Sequence, residues 1–165
     1  MTLEDLHPLA REIAEMLLAR GERLAVVDGA TGGLVSAALL TVPGATKFFR
    51  GGGIVYSLKG RELLLGLPRS AYEGMVSATA DYALLQARAI SAQLRAEWGF
   101  AETGSAGASV HPLGVASGRS CAAVAGPGIE RTRLTETASD ARMGNMWAFT
   151  HAGLLLLRDA LQDAA

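Results

Sequence analysis

The chain has 165 residues, half of them apolar and 19% charged, and a formal net charge of -1. That balance excludes a disordered chain, which lacks the apolar surface to fold. It also excludes the basic footprint of a nucleic-acid binder. Domains cluster at roughly 100–150 residues, so one domain is expected over 1–165.

A single cysteine, Cys121, rules out an internal disulfide and a cysteine-rich metal site. His7, His111 and His151 share no metal-ligand spacing, so no metal and no cofactor are expected. Glu4, Asp5 and Glu12 interrupt any apolar leader at the N-terminus. No run reaches the roughly 18 apolar residues that span a bilayer. A soluble, cytoplasmic α/β protein that binds neither membrane nor nucleic acid is the expectation.

Residues 3–20 read as a helix with Leu6, Leu9, Ala10, Ile13, Met16 and Leu17 on one stripe. Pro8 suits a first turn, which places the regular part from near Leu6, and Gly21 suits the C-terminal cap. Leu24 to Val27 reads as a buried central strand. Asp28 to Gly33 follows as a small-residue turn, and Leu34 to Leu40 as a helix ended by Pro43-Gly44. Phe48 to Tyr56 reads as a strand whose three central glycines imply close approach of another backbone or a ligand. Ser57 caps a helix through Leu65, closed by Gly66 and Pro68. Ser77 is expected to cap the longest helix, Ala78 to Trp98, closed by Gly99.

Phe100 to Ser105 is the third strand, and 106–117 a loop. Residues 118–125 and 129–137 read as a hairpin turning at Gly126-Pro127-Gly128. The second arm alternates in polarity and so is an edge strand. Ser139 or Asp140 caps a last helix to about Leu161. The order αβαβααβββα predicts a three-layer α/β/α sandwich with a mixed sheet. The run Leu154 to Leu157 covers more than one helical face, which implies deep burial or a shared subunit surface.

Ligands of open α/β sheets sit beyond the carboxyl ends of the strands. The turn after the first strand is therefore the leading site. Asp28, Ala30, Thr31, Gly32 and Gly33 are its ligand candidates, and a helix N-terminus there attracts anions. The same turn is also what a tight strand-to-helix connection requires. Thr103, Gly104 and Ser105 end the third strand beside it.

The ordered pieces Thr31-Gly32-Gly33, Tyr56-Ser57, Gly66-Leu67, Val76-Ser77 and Thr103-Gly104-Ser105-Ala106-Gly107 resemble the C-terminal domain family of the competence/damage-inducible protein CinA. The resemblance runs from about residue 5 to 160. It implies that family's fold, a homo-oligomer, a pyridine nucleotide or another anion as ligand, and relatedness to nicotinamide-nucleotide amidohydrolases (NMN deamidases). In the family the first turn reads Ala-Glu-Ser-Cys-Thr-Gly-Gly, and its serine is the nucleophile. Here Gly29 stands at that position. The family's Tyr-Ser-Asn-x-x-Lys becomes Tyr56-Ser57-Leu58-Lys59-Gly60-Arg61, which keeps the tyrosine and puts Arg61 on the lysine's place. Ala108 replaces a proline. A late arginine falls on Asn145, with Arg142 one turn earlier as a substitute.

These departures imply lost chemistry. Glycine forms no acyl-enzyme, and arginine stays protonated, so Arg61 cannot take a serine's proton. The positions matching the family's catalytic set are Gly29, Tyr56 and Arg61. A non-catalytic nucleotide- or anion-binding or scaffolding homologue is the main reading. An amidohydrolase rearranged around Tyr56, Thr31 and His111 is the alternative. Asp28 is expected to pair with Arg61 across the emptied pocket. Lys59 reads as solvated, Ser57 as a cap, Thr31 as the cap of the following helix, Cys121 as inert core, His111 as a loop residue able to approach the site, and His151 as packing.

Overall fold

The computed structural model of the chain describes residues 1–109, 111–112 and 114–164. Val110 and Leu113 of the expected 106–117 loop, and Ala165 at the end of the expected domain, lie outside them. Among the described residues, five helices and five strands follow the expected order: α1 Leu3–Arg20, β1 Leu24–Asp28, α2 Leu34–Leu40, β2 Phe49–Ile54, α3 Leu58–Leu65, α4 Ala80–Leu94, β3 Trp98–Ser105, β4 Arg119–Gly126, β5 Ile129–Glu136 and α5 Arg142–Asp163. Short 3-10 turns at Ala45–Lys47 and Arg69–Tyr72 complete the connections.

The sheet order is β2-β1-β3-β4-β5. The β1 strand is parallel to β2 and β3, while β4 pairs antiparallel with β3 and β5 antiparallel with β4, so the sheet is mixed. Alternation along the central strands builds the three layers. Leu24, Val26 and Phe100 face α1, α2 and α5, where Leu6, Ile13, Leu17, Leu154 and Leu157 complete one core. Ala25, Val27 and Ala101 face the other way, toward Ala83, Ala87 and Ile90 of α4. Alanine against alanine brings α4 close to the sheet. Gly99 lies at the closest approach, where an added Cβ would overlap the Ala87 carbonyl. Gly52 in β2 has a similar reason: a Cβ there would lie 2.8 Å from the Val26 carbonyl oxygen. The glycine-rich strand therefore admits a backbone.

Several boundaries differ from expectation. Helix α1 begins at Leu3 and not near Leu6, because Thr2 and Asp5 form a capping box; Pro8 sits inside the helix. Helix α4 is shorter than 78–98 and is not the longest, since α5 has 22 residues. Ala78 has φ 57° and Arg95 φ 52°, left-handed values that bracket the helix. Trp98 and Gly99 belong to β3, and Trp98 is fully buried with its Nε1 donating to Glu22. Ser77 is no cap; Thr79 holds that position without a side-chain capping bond, its hydroxyl donating to the Val76 carbonyl instead. Neither Ser139 nor Asp140 caps α5, which starts after Ala141, though Ser139 Oγ accepts from Ala141 N.

Leu154, Leu156 and Leu157 are buried by the chain itself, so that run does not call for a second subunit. His151 is exposed and does not pack. Cys121 is buried, and burial pushes its thiol up to about 11, which keeps it inert. Among the described residues, no helix is long and apolar enough to cross a membrane.

Candidate functional site

The carboxyl ends of β1 and β3 and the segment after β2 enclose a cavity of about 300 Å³. Of the sequence-named residues, Gly29, Ala30, Tyr56, Arg61, Thr103, Gly104 and Ser105 line it. His111 and Arg142 line it as well, so His111 does approach the site, and the substitute arginine, not Asn145, borders the cavity. Asp28, Thr31, Gly32, Gly33 and Asn145 are not among the lining residues. Ser77, Gln86, Glu102 and Ser109 are, and sequence reasoning missed all four as site residues.

Asp28 ends β1 fully buried and is consumed locally. Its Oδ1 accepts from Thr31 Oγ1 at 2.7 Å and Val35 N at 3.1 Å, and its Oδ2 from Ser36 N at 3.2 Å and Ser36 Oγ at 2.7 Å. Asp28, not Thr31, thus satisfies the first turn of α2. The α2 amides expected to receive an anion from the cavity already serve this carboxylate. The expected Asp28–Arg61 pair does not form. Gly32 and Gly33 have φ 65° and 97°, the left-handed values that this turn needs.

Asn145 is also structural. Its Nδ2 donates to the Ala106 and Ser139 carbonyls, and its Oδ1 accepts from Thr137. It ties the start of α5 to the loop after β3. Arg142, one turn earlier, reaches the cavity: its guanidinium covers Gly107, where a Cβ would collide with it, and its Nη2 donates to Ser109 Oγ at 3.2 Å.

Gly29 is enclosed by β3. An ideal Cβ there would come well under 3.0 Å from the Glu102 carbonyl oxygen and 3.3 Å from the Thr103 Cα. The position matching the family's nucleophile lacks a side chain and also lacks the space for one. Arg61 leaves α3 over two rings, 5.5 Å from the Tyr72 centroid and 5.1 Å from that of Tyr82. Among the described residues, no carboxylate forms an ion pair with Arg61 or Arg142. Tyr56 stands at the rim, 73% exposed. Ser57 caps α3 through Gly60 N, and Lys59 pairs with Glu62 in solvent, both as expected. The Ser77 and Thr103 hydroxyls, 3.1 Å apart, form a buried polar wall. His111 is held below its ordinary value by burial and by Arg61.

Glu102 is the one carboxyl among the described lining residues, and it is fully buried. Its Oε1 accepts from Ser120 Oγ at 2.5 Å and its Oε2 from Thr31 N at 2.9 Å. Burial holds its acid group above the ordinary 4.5; Asp28 adds to this, and the hydrogen bonds oppose it. Such a group contributes stability that is full below its unfolded pKa and lost as pH rises through the folded value. Glutamine mimics the neutral acid, donating to Ser120 and accepting from Thr31. Glu102→Gln is expected to match the wild type in urea denaturation at acid pH and to exceed it at pH 8. Equal wild-type and variant stability at pH 8 would refute this.

The Glu102 carboxyl is fully buried and bonded to Ser120 and to Thr31 N, whereas the guanidinium groups of Arg61 and Arg142 line the cavity without a carboxylate ion-pair partner among the described residues. Hydroxyls of Ser77, Thr103, Ser105 and Ser109 surround them. Two forked cations among neutral donors suit a phosphate or carboxylate. Among the described residues, no cluster of three or more His, Cys, Asp or Glu is placed to hold a metal ion.

Comparison with known proteins gives the family and the fold. A family model described as the CinA C-terminal domain matches residues 6–161. A CinA-like protein of Gloeobacter violaceus is 31% identical over 161 residues, covering 93% of this chain and 36% of its own length. The chain thus spans little more than a third of that relative. A competence or damage-inducible protein of Enterobacter asburiae, known by crystal structure, is 26% identical with a TM-score of 0.84, covering 94% of this chain and 98% of its own. A CinA superfamily protein of Klebsiella pneumoniae shares the fold at a TM-score of 0.86 and 21% identity, covering 96% and 98% of the two chains.

Proposed function

We propose that this chain, which belongs to the CinA C-terminal domain family, is a non-catalytic member that holds a small organic anion in the cavity at its strand ends. The enclosure of Gly29 by the Glu102 carbonyl carries this reading. The amidohydrolases that the sequence resembles attack an amide with a serine whose proton passes to lysine. Here the first position admits no side chain and the second is a guanidinium, which remains charged throughout the working pH range. Thr31, the alternative nucleophile, is fully buried and donates its hydroxyl to Asp28. That hydroxyl is engaged outside the cavity.

The open volume favours binding over a purely scaffolding role, since a scaffold would gain from filling it. The charge favours an anion, a pyridine nucleotide or a simpler phosphate. Nicotinamide mononucleotide or inorganic phosphate is expected to raise the thermal midpoint of the wild type. Arg142→Ala is expected to weaken binding at least about tenfold, the scale of one hydrogen bond to a charged group at roughly 1.5–3 kcal/mol. Thermal unfolding reads the first and isothermal titration calorimetry the second. No heat with either anion would overturn the reading.

A further inference from the structure

Arg61 lines a second cavity as well, about 700 Å³ in volume, between α3 and the 3-10 turn at Arg69–Tyr72. The two spaces differ in chemistry. The first is walled by hydroxyls and Arg142. The second presents the side chains of Leu58, Leu67 and Met75 and the rings of Tyr72 and Tyr82 beside Arg61, with the charged Lys59, Glu62, Arg69 and Glu73 also in its lining. Those rings lie 4.7 Å apart and 41° from parallel.

Tyr82 holds the second observation. It is 1% exposed, and its hydroxyl has no hydrogen-bond partner among the described residues. A buried donor without a partner is destabilising and calls for an explanation. Phenylalanine would satisfy packing at that place without the unmet hydroxyl. Burial pushes this phenol up to about 12, so it remains a donor. The Tyr82 ring therefore lies under a guanidinium that forms no ion pair among the described residues, on a wall of the second cavity.

We propose that the ligand of this protein is an organic anion with an apolar aryl body, its charge on the Arg61 side of the first cavity and its body in the second against Leu67, Met75 and Tyr72. The Tyr82 hydroxyl donates to the oxygen that links the charged group to the aryl body. This rests on the anion-binding reading and narrows it: a sugar phosphate offers hydroxyls where the second cavity offers carbon. Burying one aryl ring is worth roughly 1.5–3 kcal/mol, which converts to about tenfold or more in affinity.

The test compares phenyl phosphate with ribose 5-phosphate by calorimetry on the full chain. Phenyl phosphate is expected to bind at least about tenfold tighter. Leu67→Ser and Tyr82→Phe are expected to remove most of that advantage and leave ribose 5-phosphate unchanged. Tyr82→Phe is also expected to keep or raise the thermal midpoint of the ligand-free protein, which separates lost binding from lost folding. Equal affinity for the two probes overturns the aryl-body proposal and leaves the anion reading standing. An advantage that persists in Tyr82→Phe overturns the role of the hydroxyl. Binding of neither probe overturns the proposal together with the anion reading.

Discussion

Gly29→Ser is expected to destabilise the fold and to create no amidohydrolase activity, alone or with Arg61→Lys. The new Cβ would overlap a backbone carbonyl, that of Glu102, rather than the end of a flexible side chain. Strand β3 cannot easily retreat, because it is paired with β1 on one side and β4 on the other. Overpacking a closed site costs about 1–3 kcal/mol, and more where backbone must move. At the upper figure, a chain of this size loses roughly 6–12 °C of melting temperature. Thermal unfolding followed by circular dichroism reads this directly. A variant that melts with the wild type would mean that the turn opens and that the cavity has room for a nucleophile.

Asp28→Ala is expected to cost more, about 3–5 kcal/mol, because each buried donor left without a partner costs roughly 1–3 kcal/mol. Four donors lose their acceptor at once: the Thr31 and Ser36 hydroxyls and the Val35 and Ser36 amides. Rotation of the hydroxyls recovers part of the loss, so the total falls short of the sum. Asp28→Asn is expected to lose about half as much, because its remaining carbonyl oxygen still accepts from two donors while its NH2 faces the other two. Urea denaturation of the three proteins checks the order wild type, Asn, Ala. An alanine variant near wild-type stability would mean that the turn is held by the Glu102–Thr31 bond instead.

Much of the fold was legible from residue patterns. The continuous apolar β1, the alternating β5 and the Gly-Pro-Gly hairpin each have one physical reading, and the element order matches. Gly66 and Ser57 bound α3 as expected, because caps depend on local chemistry. The end of α4 was not legible. Ala96 and Trp98 continue a helical stripe, but burial of Trp98 in β3 outweighs helical spacing. The start was equally hidden, since alanine does not advertise the left-handed backbone found at Ala78.

The candidate site divides along the same line. Gly29, Tyr56 and Arg61 were found because their motifs are contiguous in the chain. Asp28 looked like a ligand because a carboxylate at a strand end resembles one; its capping of α2 depends on a turn geometry that spacing does not specify. Arg142 displaced Asn145 because the loop after β3 bonds to Asn145 and leaves the earlier turn facing the cavity. Glu102 offered one overlooked signal, a lone charge inside an otherwise uncharged strand. Its distance from Asp28 in sequence concealed that both lie where β1 and β3 end side by side.

The most direct measurement is ammonia release from nicotinamide mononucleotide by the purified wild-type chain, followed over hours at pH 7–8. The account predicts release no faster than the protein-free blank at any protein concentration. Release that scales with protein concentration would contradict it.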